Sequence, residues 1–456
     1  MPAATNGLPE MACSHSLRAM HPTEPVEERQ LIRALGVPSL AANIVNSTVG
    51  AGIFALPALV AAQLGAGAPI AFLICAAAMV IFVTSFALAG SRVSLTGGLY
   101  AYVESAFGRY IGFMAGVLYF LTAILASSGI VALFADTIGA MARTFAHGGL
   151  HFLVVLLVFG SLAWVNIRGV KSGARAVWVV TIAKLVPLFI FVFVGIFFVR
   201  QADALTITWP GTQPLGRGVL LLLFAFVGIE VALMPSGEVK DPSRTVPRAI
   251  YLALGVTTVL YLLIQLVAQG LLGDTLGKYS TAPLAQAASH FLGEPGRTLM
   301  LTGASISAFG FLASDVLSSP RVLFAFGRDR FLPKIFAHVH SRFRTPDVAI
   351  LTYCAIAAVL SLSSTFQQLA VLSNVAVLLL YFLSCGAALR MMWCDTPATG
   401  RPFHFPGAWI FPVMGIVISL LILAQATRQE LTVTAVVLVA ASILFLLQRA
   451  IRKSPA

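Results

Sequence analysis

Four ionisable residues, Asp136, Lys184, Glu230 and Asp315, stand inside long apolar runs of this sequence. A charge at the centre of a hydrocarbon layer costs about 2.5–3.5 kcal/mol on insertion scales, so each needs a partner or a cavity. Two apolar runs are also interrupted at the backbone. Residues 41–64, AANIVNSTVGAGIFALPALVAAQL, carry Gly50-Ala51-Gly52 in the middle and Pro57 soon after. Residues 221–247, LLLFAFVGIEVALMPSGEVKDPSRTVP, carry Gly228, Glu230, Pro235 and Gly237. Glycine weakens a helix interior, and proline removes a backbone donor. In lipid the freed N–H or C=O has no water to turn to, so such breaks persist only where buried in protein or lining a cavity. A half-helix restarting after Gly50 presents unpaired N–H groups and a positive dipole end, which suit a carboxylate. A half-helix ending near Phe224 to Val227 presents unpaired carbonyls, which suit an ammonium. A zwitterion with both groups on one carbon bridges the two. Small residues at these places also fit a helix–helix packing face, and that reading stays open.

The elements that must position these groups are membrane helices. The chain has 456 residues, 59% hydrophobic and 10% charged, with a mean hydropathy of +0.93. Soluble domains carry about 25% charged residues, so the composition predicts an all-α polytopic membrane protein. Twelve runs near membrane length follow one another at 38–64, 68–92, 110–142, 149–167, 174–199, 216–238, 248–273, 296–327, 347–363, 366–391, 406–426 and 430–450. The organisation this predicts is a cytoplasmic tail (1–37), a first group of five spans (38–199), a second (216–391), two further spans (406–450) and a short cytoplasmic end (451–456). The tail lacks a signal-peptide apolar core. With the N-terminus inside, 22 of the Lys and Arg residues fall in cytoplasmic segments and 6 in outer ones, with Lys184 within the membrane. That excess orients the protein with both termini in the cytoplasm. The formal charge of +12 thus serves topology and anionic lipid, not nucleic acid. The interrupted runs are the first and the sixth, five apart, as a five-plus-five inverted repeat requires, and paired interrupted segments point to a transporter site.

At this point the residues carry a resemblance. VNSTVGAGIFALPA resembles the helix-1 signature of transporters in the amino acid–polyamine–organocation superfamily. LLLFAFVGIEVA with GEVKDPSRTVPRAI resembles their helix 6 and the loop after it, and TGGLYAYVESAFG the segment between helices 2 and 3. SSPRVLFAFGRDRFLPKIFAHVHSRFRTP resembles the end of helix 8 and its cytoplasmic loop, and KLVPL at 184–188 resembles helix 5. The resemblance covers roughly residues 38 to 391 and implies the LeuT-type fold, with broken helices 1 and 6 and two additional C-terminal helices.

Carried over residue by residue, the resemblance implies a substrate site in the two broken stretches. The N–H groups of Ala51 and Gly52, following Gly50, would take a substrate carboxylate. The carbonyls of Thr48, Phe224 and Val227, with Ala225 and Gly228 beside them, would take its α-ammonium, and Phe224 would cover the substrate. Glu230 matches a proton-sensitive glutamate of arginine/agmatine-type exchangers. Ser127 would face the side-chain pocket where those exchangers carry asparagine, a departure from the arginine pattern. Lys184 matches a lysine of sodium-independent members, whose ammonium stands where related carriers bind a second sodium ion. Asp315 falls where relatives place a hydroxyl facing that same place. The expectation is a Lys184–Asp315 pair, acting as a proton carrier or a permanent tie. Asp136 is expected in a solvated vestibule near the outer end of its helix.

No HExxH, P-loop, GxSxG or paired CxxC motif occurs, which argues against an enzyme and against a resident metal or cofactor. The function expected is secondary active amino acid transport by alternating access in a bacterial plasma membrane, sodium-independent, with proton coupling or exchange. A basic amino acid or polyamine antiporter is the alternative within transport. A membrane sensor that binds an amino acid without moving it is the alternative outside it.

Overall fold

A computed structural model describes residues 36–92, 98–145, 149–168, 174–199, 208–230, 242–394 and 403–453. Among these the regular elements are helices, with no strand. In chain order they are α1 (Val37–Thr48), a 3-10 turn (Ala51–Phe54), α2 (Leu56–Leu64), α3 (Ala68–Gly90), α4 (Leu99–Phe107), α5 (Arg109–Met141), α6 (Gly149–Arg168), α7 (Ala174–Gly195) and α8 (Thr212–Phe226). Then follow α9 (Pro242–Leu272), α10 (Pro283–Ser318), α11 (Pro320–Arg328), α12 (Asp347–Ser363), α13 (Phe366–Trp393), α14 (Ile410–Leu423) and α15 (Arg428–Lys453).

The starts are written in the sequence. Pro38, Pro57, Pro69 and Pro320 each occupy the first turn of their helices, where the missing N–H would have no partner anyway. Thr365 and Gln368 form a reciprocal capping box at the start of α13. Among the described residues eight helices are long and apolar enough to cross a membrane, and three shorter apolar ones, Thr212–Phe226, Asp347–Ser363 and Ile410–Leu423, accompany them.

The long central helices pack on one another. α5 lies along α13 and α10, α9 lies along α1 and α3, α10 also covers α7, and α8 fits between α3 and α13. Outer positions remain apolar: Leu157, Val179, Phe193, Val359, Leu421 and Val436 are all exposed. A soluble protein rarely tolerates that much exposed apolar surface, and a bilayer covers it.

Three expectations meet the structure here. The first run is split, as its glycines predict, into α1, the 3-10 turn and α2. The sixth run stops as a helix at Phe226; Pro235 and Gly237 lie outside the described residues, as do residues 1–35 of the tail. The eighth run, expected from 296, follows a break at Gly293 (φ 62°), and a separate helical segment from Pro283 precedes that break within α10. Gln286, Ser289 and His290 make that first segment polar enough to hide it from a hydropathy window.

Candidate functional site

The break in the first span is a change of backbone course over two residues. The Val49 N–H still bonds back to Val45, Gly50 is extended (φ −94°, ψ −169°), and a new turn opens at Ala51. The opening residues of a helical turn have no carbonyl behind them, so Ala51 and Gly52 present their N–H groups. In the sixth span the Val227 N–H closes α8 by bonding to Leu223, at 3.1 Å. Val227 is then extended (ψ 139°) and Gly228 takes φ +107°. The carbonyls of the last α8 turn are left without helical donors.

The fold sets the two breaks against each other. A Cβ at Gly228 would lie 2.9 Å from the Ser47 carbonyl oxygen, and one at Gly52 would lie 3.0 Å from the Phe224 ring. At Gly228 the obstacle is backbone and φ is positive, so the approach requires glycine, whereas at Gly52 the Phe224 ring would have to give by a few tenths of an ångström. Phe224 therefore lies over Gly52, and its ring meets Phe366 edge-on at 5.4 Å. Between the breaks stands the fully buried Tyr261 of α9, whose hydroxyl reaches the Thr48 carbonyl (2.9 Å) and the Ala225 carbonyl (3.0 Å). Asn374 of α13, also buried, donates to the carbonyls of Leu220 (2.7 Å) and Leu221 (3.1 Å) and holds α8 in place.

Glu230 lies just beyond the second break. Its Oε2 accepts from the Gly228 N–H at 3.0 Å and from the Tyr381 hydroxyl at 2.9 Å. Tyr381 is itself fixed between Phe82 and Phe86, with ring centroids at 5.2 and 5.0 Å.

Lys184 and Asp315 are not brought together. The Lys184 ammonium donates to the Asn46 carbonyl in α1, so it does tie α7 to the first broken span. Asp315 instead accepts from Ser127 (2.5 Å) and Tyr353 (2.5 Å) on Oδ2 and from Ser319 (2.6 Å) on Oδ1. The reason is helical phase. Val180 and Pro187, on the Lys184 stripe of α7, meet Gly310 and Gly303 of α10. At about 100° per residue, Asp315 points roughly 130° away from that stripe. It faces α5 and α12 instead. Ser127, expected in the side-chain pocket, spends its hydroxyl on Asp315. Asp136 is exposed near the end of α5.

The structure thus gathers Thr48, Gly50, Ala51, Gly52, Phe224, Ala225, Val227 and Gly228 at one meeting of two breaks, and adds Tyr261, Asn374 and Tyr381. Those three had one signal in the sequence: a phenol or amide within an apolar run must find a hydrogen-bond partner when buried.

The amino acid permease family matches residues 35–447. The serine/threonine exchanger SteT of Bacillus subtilis is 27% identical over 423 residues, 88% of this chain and 92% of the relative. An arginine/ornithine antiporter of Pseudomonas aeruginosa is 30% identical over 313 residues, covering 66% of this chain and 65% of the relative. An arginine/agmatine antiporter of Chlamydia pneumoniae is 28% identical over 410 residues, covering 85% and 84%.

Proposed function

The chain belongs to the amino acid permease family, and from that premise we propose that it carries amino acids across a bacterial plasma membrane by alternating access, without sodium, in symport with protons or in exchange for a second amino acid. It is a transporter and not an enzyme.

The observation that carries this reading is the meeting of the two interrupted helices. N–H groups at Ala51 and Gly52 and carbonyls at Phe224 and Val227 offer complementary dipoles to the carboxylate and the ammonium of one α-amino acid, whereas the Thr48 carbonyl, expected to join them, already accepts from the Gly50 N–H and the Tyr261 hydroxyl. Such a site reads the groups common to all amino acids by backbone alone. Phe224, resting on Gly52, is the lid of this pocket.

Sodium independence is argued from Lys184. Its ammonium already bonds the Asn46 carbonyl beside the first break, giving that backbone a resident cation. The architecture that fits is the LeuT-type five-plus-five repeat with two further spans, twelve in all, and both termini in the cytoplasm.

The experiment is uptake of a radiolabelled amino-acid panel into proteoliposomes with an inward proton gradient and no sodium. Gradient-driven accumulation of an amino acid is the expected result. Uptake only into vesicles preloaded with amino acid would make the protein an obligate exchanger. Binding without movement under either condition would sink the transport reading in favour of a sensor.

A further inference from the structure

Residues 328–347, from the end of α11 to the start of α12, hold five Lys and Arg residues and two carboxylates. The carboxylates are taken: Asp329 pairs with Arg328 at 3.0 Å and Asp347 with His338 at 2.7 Å. Among the described residues no carboxylate forms an ion pair with Arg330, Lys334, Arg342 or Arg344, and all four are exposed.

The far end of this segment is a closed turn, 340–345. The His340 N–H donates to the Thr345 carbonyl and the Arg344 N–H to the His340 carbonyl, both at 2.9 Å. The His340 Nδ1 accepts from the N–H groups of Arg342 (3.2 Å) and Phe343 (3.3 Å). Arg342 and Arg344 stand on the tip. Arg344 takes φ +58° and Arg330 φ +61°, and among the described residues these are the only non-glycine positions with positive φ. Such a backbone is uncommon for a residue with a side chain and persists where its surroundings hold it. The near end is held by Phe331, whose ring lies against Phe113 of α5 (4.4 Å) and Phe445 of α15 (5.5 Å).

The height of the turn is set by α6. The Thr345 hydroxyl donates at 2.7 Å to the Ile167 carbonyl, in the last turn of α6, where carbonyls lack helical donors. Close by, the Trp164 ring is 56% exposed, with the Arg168 guanidinium 4.0 Å from its centre. Tryptophan with a basic neighbour at the end of a span marks the boundary between lipid and water. Within the segment, Ile335 (61% exposed) and Val339 (41%) add apolar side chains among the cations. Exposed apolar and cationic residues side by side suit a headgroup layer.

We propose that the turn 340–345 holds the phosphate of an anionic phospholipid of the inner leaflet by the guanidinium groups of Arg342 and Arg344, with Ile335 and Val339 entering the acyl boundary beside it. Guanidinium forks take phosphate oxygens bidentately. The net negative charge of the lipid meets cations that no carboxylate of the protein neutralises, so a zwitterionic lipid is held less well. The orientation argued from the Lys and Arg excess puts this face on the cytoplasmic leaflet, and the site is independent of the substrate carried.

The test is thermal unfolding of the purified full-length protein in detergent micelles, followed while phosphatidylglycerol, phosphatidylcholine or inorganic phosphate is added. The expected result is half-saturation by phosphatidylglycerol at a concentration about tenfold below that for phosphatidylcholine, with no shift from inorganic phosphate. In Arg342→Gln/Arg344→Gln that preference falls to within about twofold, whereas Arg449→Gln/Arg452→Gln, which removes as much charge from the same side, keeps it. Equal saturation by the two lipids overturns the proposal. So does saturation by phosphate at the concentration of phosphatidylglycerol, which makes the turn a site for a free anion. An equal loss of preference in the second double variant also overturns it, because bulk charge then suffices. Photolabelling of the wild type by phosphatidylglycerol with a diazirine in its headgroup decides the matter even where a variant fails to fold. The label is expected on residues 335–347, and label confined to other segments overturns the proposal.

Discussion

At the residue scale, the meeting of the two breaks depends on atoms that are absent. A Cβ at Gly228 would sit 2.9 Å from the Ser47 carbonyl oxygen, on a backbone whose φ of +107° L side chains avoid. Gly228→Ala joins a clash to left-handed strain, worth about 1–3 kcal/mol. The expected outcome is a lower melting temperature in detergent and at least a tenfold loss of uptake; wild-type uptake would mean the breaks need not touch. Lys184→Met tests a different atom. It keeps the apolar stem and removes only the ammonium that bonds the Asn46 carbonyl. Sodium-free uptake is expected to be abolished while the protein still reaches the membrane, and normal, pH-independent uptake would remove Lys184 from the coupling role. Both residues stand out in the sequence, one as a helix breaker and one as a charge in an apolar run. The partner of Lys184 does not. Which residue it meets depends on how α7 and α10 are rotated where Val180 and Pro187 meet Gly310 and Gly303, a tertiary fact that no local pattern encodes. Tyr261, which bonds both Thr48 and Ala225, reads in the sequence like any aromatic of an apolar run.

At the element scale, hydropathy finds a helix because each span is apolar over most of its length, and it misjudges an end wherever polar residues begin one. That is why the segment from Pro283 to the break at Gly293 goes unseen, while the segment after the break begins close to the expected 296. The ties between elements are less visible still. Arg217 of α8 makes two hydrogen bonds to Glu430 of α15, at 2.7 and 2.5 Å, and a third to the Gln425 carbonyl at 3.3 Å. Their side chains are 31% and 15% exposed, and 213 residues separate them in the chain. The pair anchors the start of the interrupted sixth span to the last helix. Partial exposure limits its worth to about 1 kcal/mol. A double-mutant cycle with Arg217→Ala and Glu430→Ala, followed by thermal unfolding, is expected to give a coupling near that figure that shrinks in high salt. Zero coupling would show that the packing of α8 against α3 and α13 holds that end alone. A change in uptake rate without a change in stability would instead mark the tie as a brake on the motion of α8.

At the scale of the whole molecule, orientation decides which way the site works. The 29 Lys and Arg residues divide 22 to 6 across the membrane once the N-terminus is placed inside, with Lys184 between. Positive charge in short loops sets topology, and acidic residues contribute little. An even number of spans then returns the C-terminus to the cytoplasm, whereas seven spans end at the segment around Lys278, on the outer side. Fusion reporters read this directly. Green fluorescent protein after Ala456 is expected to be bright and alkaline phosphatase there inactive, because the phosphatase needs an oxidising compartment for its disulfides. After Lys278 the two reporters should exchange behaviour. A bright fusion at Lys278, or an active phosphatase at the C-terminus, would overturn the span count or the orientation. The same result fixes the direction of the cavities. The wider one, about 200 Å³ with Lys278 and Arg297 in its wall, shares Thr281, Ala282 and Ala285 with the narrow one beneath Phe54. If Lys278 is outside, an amino acid arriving from outside meets two cations before it reaches the first helix break, and its carboxylate leads the way in.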